Sequence, residues 1–222
     1  MTILAFDFTS EYGSLAIRRH GETLREQTLH SPDGFAHLVF SAIDDLFQQT
    51  GVHLGEIDCF ASASGPGAFT GVRVGLSAVK GLAEAEGKRA IGVSNQRAVA
   101  SFGDAPFRAV VLDARRGDVF TAVYDADLNL VIPEAVGKLD AFLRDLPGRP
   151  DQFITSEADW LRPALEATSF AGILIVEAPR SLASAVAQCA EWDLRRGATG
   201  DPAALDANYV RRSDAELFWK EV

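Results

Sequence analysis

The sequence predicts an α/β protein of two related lobes, each a mixed sheet flanked by helices. Three observations carry this. The 222 residues are 47% hydrophobic and 23% charged, the balance of an ordinary globular chain. That length buries a core without needing disulfides. An apolar run closed by an acid, a short loop, an alternating run and a turn open the chain, and the pattern restarts about one hundred residues later. Helical segments bounded by glycines follow each block.

Thr2 to Phe8 reads as a buried strand closed by the acid Asp7. Gly13 to Arg18 alternates and reads as a second strand, Arg19-His20-Gly21-Glu22 as a turn, and Thr23 to Leu29 as a third strand. Ser31, Pro32 and Asp33 form a helix start signal, so a helix is expected from 32 to about Gln49, stopped by Gly51. A strand at Asp58 to Ser64 leads into a glycine-rich turn and a second helix from Thr70 to Glu86. The pattern then repeats. Phe107 to Asp113 and Asp118 to Tyr124 read as strands, followed by a turn at 125–129 and a short strand. Helices are expected near 140–144, 159–167 and 181–196, with a strand at Gly172 to Val176. Residues 1–102 are read as the N-terminal lobe and 103–205 as the C-terminal lobe, with a tail at 206–222 expected to pack back on the first. Chance similarity of two mixed-sheet halves competes with true duplication.

Thirty-one acids against twenty-one bases give a formal charge of −10. Both halves are acidic, so direct, tight binding of RNA or DNA by this chain alone is not expected. The two cysteines, Cys59 and Cys189, form no C-x-x-C pair and read as reduced thiols. The start of the chain lacks a basic flank, and its longest apolar run, Ala171 to Val176, is too short to span a bilayer. A soluble cytoplasmic protein with no membrane contact is expected. The histidines His20, His30, His37 and His53 form no metal-binding pair, and no serine lies in a G-x-S-x-G elbow. No metal, no cofactor and no catalytic residue is therefore assigned.

A strand ending in Asp, then a hydroxyl-rich loop, then a second strand resembles the way the actin-like ATPase superfamily holds a nucleotide. In that superfamily the acid orients hydrated magnesium and loop amides grip phosphates. Here the loop reads Asp7-Phe8-Thr9-Ser10-Glu11, with Thr9 where a glycine is usual. Asp7, Thr9 and Ser10 are therefore read as a vestigial phosphate loop. The matching loop is Asp113-Ala114-Arg115-Arg116-Gly117, whose arginines either grip an anion or form a solvated turn.

The sharpest local signal is Gly65-Pro66-Gly67-Ala68-Phe69-Thr70-Gly71-Val72-Arg73-Val74-Gly75. It either binds phosphate at a helix N-terminus or forms a tight turn in which Phe69 plugs the core. No Lys-Ser or Lys-Thr closes it as in a Walker loop. Gly71, Gly75 and Ala78 share one helix face, where small residues let another helix come close. In the first helix, apolar residues fill an arc of roughly 200°, wider than the ~100° that one core needs. Phe40 and Phe47 lie at its edge, open to a partner or covered by the second lobe or tail.

These motifs, together with Ala78-Val79-Lys80-Gly81-Leu82-Ala83, Gly92-Val93-Ser94, the segment 113–120 and Tyr209-Val210-Arg211-Arg212-Ser213-Asp214-Ala215-Glu216, resemble the bacterial TsaB (YeaZ), glycoprotease-like family over nearly the whole chain. The resemblance implies a two-lobed actin-like ATPase (ribonuclease H-like) fold with little or no activity of its own. It also implies a scaffold role in forming N6-threonylcarbamoyladenosine beside the tRNA anticodon. The partners implied are the catalytic paralogue TsaD and the ATPase TsaE, with tRNA met only indirectly. Self-pairing is implied through the same helices, at 32–50 and 70–86. Carried onto this sequence, the interface would use Phe40, Phe47, Gly71, Gly75, Ala78 and Leu82. The chain departs from many relatives in lacking a His-Ser pair near Phe35-Ala36 and in having Ala207 where proline is common. The competing functions are an ATP-dependent phosphotransferase of the actin-like superfamily and, behind it, a metallopeptidase.

Overall fold

The structure is a computed structural model and describes residues 1–210. Two five-stranded mixed sheets share one strand order. The first is built from β1 (Thr2–Asp7), β2 (Tyr12–Arg19), β3 (Glu22–His30), β4 (Cys59–Ala63) and β5 (Arg89–Val93), in the order β3-β2-β1-β4-β5. The second contains β6 (Arg108–Asp113), β7 (Val119–Tyr124), β8 (Leu130–Gly137), β9 (Gln152–Thr155) and β10 (Leu174–Glu177), in the order β8-β7-β6-β9-β10. In each, the first three strands pair antiparallel and the last two join in parallel. Asp7 and Asp113 hold the same place, the last residue of the leading strand.

The helices are α1 (Val39–Thr50), α2 (Phe69–Glu86), α3 (Asn95–Ala100), α4 (Leu139–Asp145), α5 (Ala158–Glu166) and α6 (Ala183–Arg195). They sort the core into three layers. Leu4, Phe6 and Phe60 point to the face covered by α1 and α2. Ile3, Ala5, Cys59 and Ala61 point to the other face, where they meet α3 and α6. That same central layer takes Val110, Ala122, Tyr124 and Ile154 from the second sheet. The far face of the second sheet packs Val111, Val123 and Phe153 against Leu143 of α4 and Leu161 and Leu165 of α5. Leading strands buried on both faces read as continuous apolar runs, as 3–6 and 109–112 do.

Residues 183–205, grouped by sequence with the second block, lie on the first sheet. Arg18 of β2 donates from Nε to Glu191 of α6 at 2.8 Å, and the Ala183 amide donates to Ser14 Oγ at 3.0 Å. Arg97 of α3 meets Asp193 of α6 at 2.7 Å. The passage between the blocks is held by Arg108. Its guanidinium donates to the carbonyls of Ala105, Ala100 and Ala126 at 2.5, 3.0 and 2.9 Å. Three carbonyls satisfy a buried cation that has no bonded carboxylate among these contacts. Burial holds its pKa below the usual arginine value.

Several expectations need correction. The first helix starts at Val39, not at 32. Gly34 adopts a left-handed φ of 86°, and the Ser31 hydroxyl closes this turn on the Gly34 carbonyl instead of capping a helix. The turn swings Phe35 inward, where it stacks on Phe8 at 4.9 Å. Strands β5 and β9 and helix α3 have no counterpart in the sequence reading; elements of four to six residues are too short to show a period. Of the tail, 206–210 returns to the first block, where the Asn208 amide donates to the Ser64 carbonyl at 2.8 Å. Residues 211–222 lie outside the described residues. Among the described residues no helix is long and apolar enough to cross a membrane.

Glu191 is 3% exposed. Burial works to raise its pKa, but the hydrogen bond and charge of Arg18, with help from Arg195, win and lower it. A carboxylate with a depressed folded pKa adds stability that is present above its unfolded value, near 4.5, and is lost as pH falls through the lower, folded one. Chemical denaturation of Glu191→Gln should show a loss of about 1–3 kcal/mol at pH 7. Relative to wild type, that gap should close in acid.

Candidate functional site

The cleft lies between the two blocks, where the loops after β1 and β6 face one another. Asp7 is 1% exposed. Its Oδ1 accepts from the Thr9 amide at 3.0 Å and the Thr9 hydroxyl at 2.6 Å. Asn95, the first residue of α3, donates from Nδ2 to Thr9 Oγ1 and accepts at Oδ1 from the Gly65 amide at 3.0 Å. The Asn95 amide returns a bond to the Gly65 carbonyl at 2.9 Å, and the Ala68 amide donates to the Thr9 carbonyl at 2.7 Å. The two glycine- and hydroxyl-rich loops are therefore bonded to each other through Thr9, Asn95, Gly65 and Ala68. Burial outweighs the Thr9 hydrogen bonds and raises the Asp7 pKa.

Nucleotide chemistry fits these residues poorly. The cavity holds about 150 Å³, below the 300–1,000 Å³ typical of small-molecule sites. The Asp7 carboxyl is 1% exposed and tied through Oδ1 to the Thr9 amide and hydroxyl. Thr9 packs against Gly67 and closes the approach to this loop. Both arginines lining the cavity already face acids: Arg115 meets Asp113 at 3.6 Å and Arg180 meets Glu157 at 3.5 Å. Arg115 belongs to a solvated turn, with its side chain 80% exposed and its backbone in the left-handed region at φ 64°. Ser10 turns its hydroxyl to the Tyr12 carbonyl at 2.9 Å. Among the described residues, no three His, Cys, Asp or Glu side chains gather to hold a metal ion. Cys59 and Cys189 are free and buried, and burial pushes each thiol up to about 12.

The glycine-rich segment is a structural turn. A Cβ on Gly71 would overlap the Phe8 carbonyl oxygen, and one on Gly75 would sit 2.6 Å from Ser62 Oγ. These glycines bring α2 down onto its own sheet. They are buried and do not open a surface for a second helix, which corrects their reading as interface residues. Phe69 does not plug the core. It is 42% exposed, with the Arg73 guanidinium 3.6 Å above its ring and Tyr209 at 5.5 Å.

The outward residues of the two helices are different. Phe40 is 68% exposed on α1. Phe47 on α1 and Val74, Ala78 and Leu82 on α2 are half-buried, leaning on the outer core layer. The structure thus keeps Phe40, Phe47, Ala78 and Leu82 at the surface and withdraws Gly71 and Gly75. Sequence reasoning passes over Asn95 and Glu134; only the serine cap at Ser94 hints that a helix begins beside Asn95.

Comparison with known proteins decides the family. A family model described as TsaD, tRNA N6-adenosine threonylcarbamoyltransferase, matches residues 33–190, well over half of the chain. The chain is 32% identical over 133 residues to the Escherichia coli tRNA threonylcarbamoyladenosine biosynthesis protein TsaB. It belongs to the TsaB/YeaZ, glycoprotease-like family. The Escherichia coli match covers 58% of this chain and 57% of that protein, so the chain aligns with little more than half of its length. The Bacillus subtilis TsaB match is weaker in identity, 25%, but covers 100% of this chain and 99% of the relative. A Pseudomonas aeruginosa structure with similarity to peptidase YeaZ superposes with a TM-score of 0.79 at 24% identity, over 95% of this chain and 99% of that one. The ethanolamine utilization protein EutJ from Carboxydothermus hydrogenoformans superposes at 0.55 with 9% identity, over 85% and 88%. These likenesses fix the fold as the actin-like ATPase type shared by TsaB/YeaZ proteins.

Two outcomes are expected. Asp7 has a raised folded pKa, so the stability tied to its proton is full below its unfolded value, near 3.8, and is lost as pH rises through the folded one. Asp7→Asn should therefore raise Tm at pH 7, and the gain should vanish in acid below that value. Gly71→Ala should destabilise by about 1–3 kcal/mol through backbone overlap. Gly81→Ala, on the open side of the same helix, should stabilise by about 0.5–1 kcal/mol. Denaturant titration of the two variants checks the contrast.

Proposed function

We propose that this chain acts in the biosynthesis of N6-threonylcarbamoyladenosine in tRNA as a non-catalytic subunit. In this reading it binds the catalytic paralogue TsaD and the ATPase TsaE and leaves the handling of tRNA to them. The names of its relatives point to the pathway. The observation that carries the scaffold role is the consumed cleft. Asp7, Thr9, Asn95 and Gly65 satisfy one another, so the loops that would grip a nucleotide are committed to the fold. An acidic chain with a charge of −10 also suits a subunit that does not itself grip phosphates.

The docking surface in this proposal is the outer face of α1 and α2. Phe40 stands free in the isolated chain, and Phe47, Ala78 and Leu82 are partly exposed. An exposed phenylalanine on a face of half-buried apolar side chains is the composition of an interface anchor. The same face would serve a second copy of this chain when the partner is absent. A lobe boundary near 102–106 and a cytoplasmic site of action belong to the same proposal.

Titration of the purified chain with TsaD checks this. Phe40→Asp should weaken binding at least tenfold while leaving Tm unchanged, because the side chain is solvated in the free chain. Calorimetry with Mg-ATP on the lone chain should show no micromolar binding, with Asp7→Ala indistinguishable from wild type. Tight Mg-ATP binding abolished by Asp7→Ala would instead favour a phosphotransferase.

A further inference from the structure

Glu134 sits where β8 breaks register. Ile132 pairs with Val123 and Ala135 with Thr121, so three steps on β8 oppose two on β7. The extra residue is a bulge at Pro133-Glu134, a device that re-aims a side chain from an edge strand. The re-aimed carboxylate gathers donors from three elements far apart in sequence. Ser94 donates its hydroxyl from the cap of α3, and Tyr124 donates from β7 to Oε1 at 2.6 Å. The Asn208 carboxamide donates to Oε2 from the returning tail.

Asn208 faces both ways. Its backbone amide holds the Ser64 carbonyl at 2.8 Å, and its own carbonyl packs on Gly65. The next residue, Tyr209, accepts from Arg73 Nε at 3.0 Å and lies against Phe69 on the first turn of α2. Ser94 in turn caps the helix whose first residue, Asn95, holds Gly65 and Thr9. The paths through Ser94 and Asn208 thus both end on the glycine-rich loop, while Tyr124 anchors Glu134 to its own sheet.

We propose that Glu134 and the 206–210 segment form a clasp that closes the second sheet onto the glycine-rich loop, fixing the cleft width and the start of α2. The chain crosses between blocks at 101–107 and again at 178–182. The clasp is a separate tie, its two halves 74 positions apart in sequence. Its members are side-chain hydrogen bonds at a half-buried site, so it can open while both sheets stay folded. This inference stands on geometry alone and does not depend on the proposed partners.

Hydrogen exchange of the full chain, read by mass spectrometry at pH 7, tests it. Asn208→Ala should speed exchange in residues 64–73 and 94–97 at least tenfold, with β1 and β6 unchanged. In a Glu134→Ala background the same substitution should add less than twofold, because the carboxylate it served is gone. Unchanged exchange in the single variant, a uniform rise that includes β1 and β6, or a full tenfold effect without Glu134 would each overturn the clasp.

Discussion

The approach of α2 to the end of β1 sets the terms for everything around it. Gly71 lies directly on the Phe8 carbonyl, and no other residue type fits that contact. The helix is thereby drawn down, the loop before it is pressed onto Thr9, and the acid at the end of β1 loses its solvent. A loop in this position cannot also present open amides to a phosphate. The tight turn and the closed cleft are two results of one contact. Its third result is on the opposite side of α2, where Val74, Ala78 and Leu82 are left facing outward.

The layered core explains how its buried charged groups are held. A sheet covered on both faces offers no solvent to a stray charge. Arg108 meets this with three carbonyls, and Glu191 with two arginines. Asp7 has only a partial answer, because Thr9 hydrogen bonds do not offset its burial. Of the two carboxyls, it is the one whose removal is expected to help the fold.

Much of this was legible in the sequence. The antiparallel opening of each sheet follows from the repeated run-acid-loop-strand pattern at 3–7 and 110–113, because apolar runs closed by an acid are visible whatever surrounds them. Both helices carrying the exposed face were found, and Phe40 was placed correctly at the rim of its apolar arc. Other features depend on tertiary contacts that leave no local trace. Gly71 and Gly75 look the same whether they admit a foreign helix or their own sheet. Phe69 reads as core until Arg73 and Tyr209 are seen to cover it at the surface. The capping signal at Ser31 was real as a turn signal, but Gly34 two residues after Pro32 turned the chain and delayed the helix. Glu134 is one acid among thirty-one, and only the bulge marks it.

The position of α6 on the first sheet bears on how the molecule is made. Ile3, Ala5, Cys59 and Ala61 find their covering layer in residues 183–194. A ribosome that has released only the first hundred residues has therefore emitted a sheet with one bare greasy side. Vectorial synthesis cannot finish the N-terminal half as an independent unit. Its rear wall arrives late, so that apolar side stays uncovered on the nascent chain until residues 183–194 have emerged.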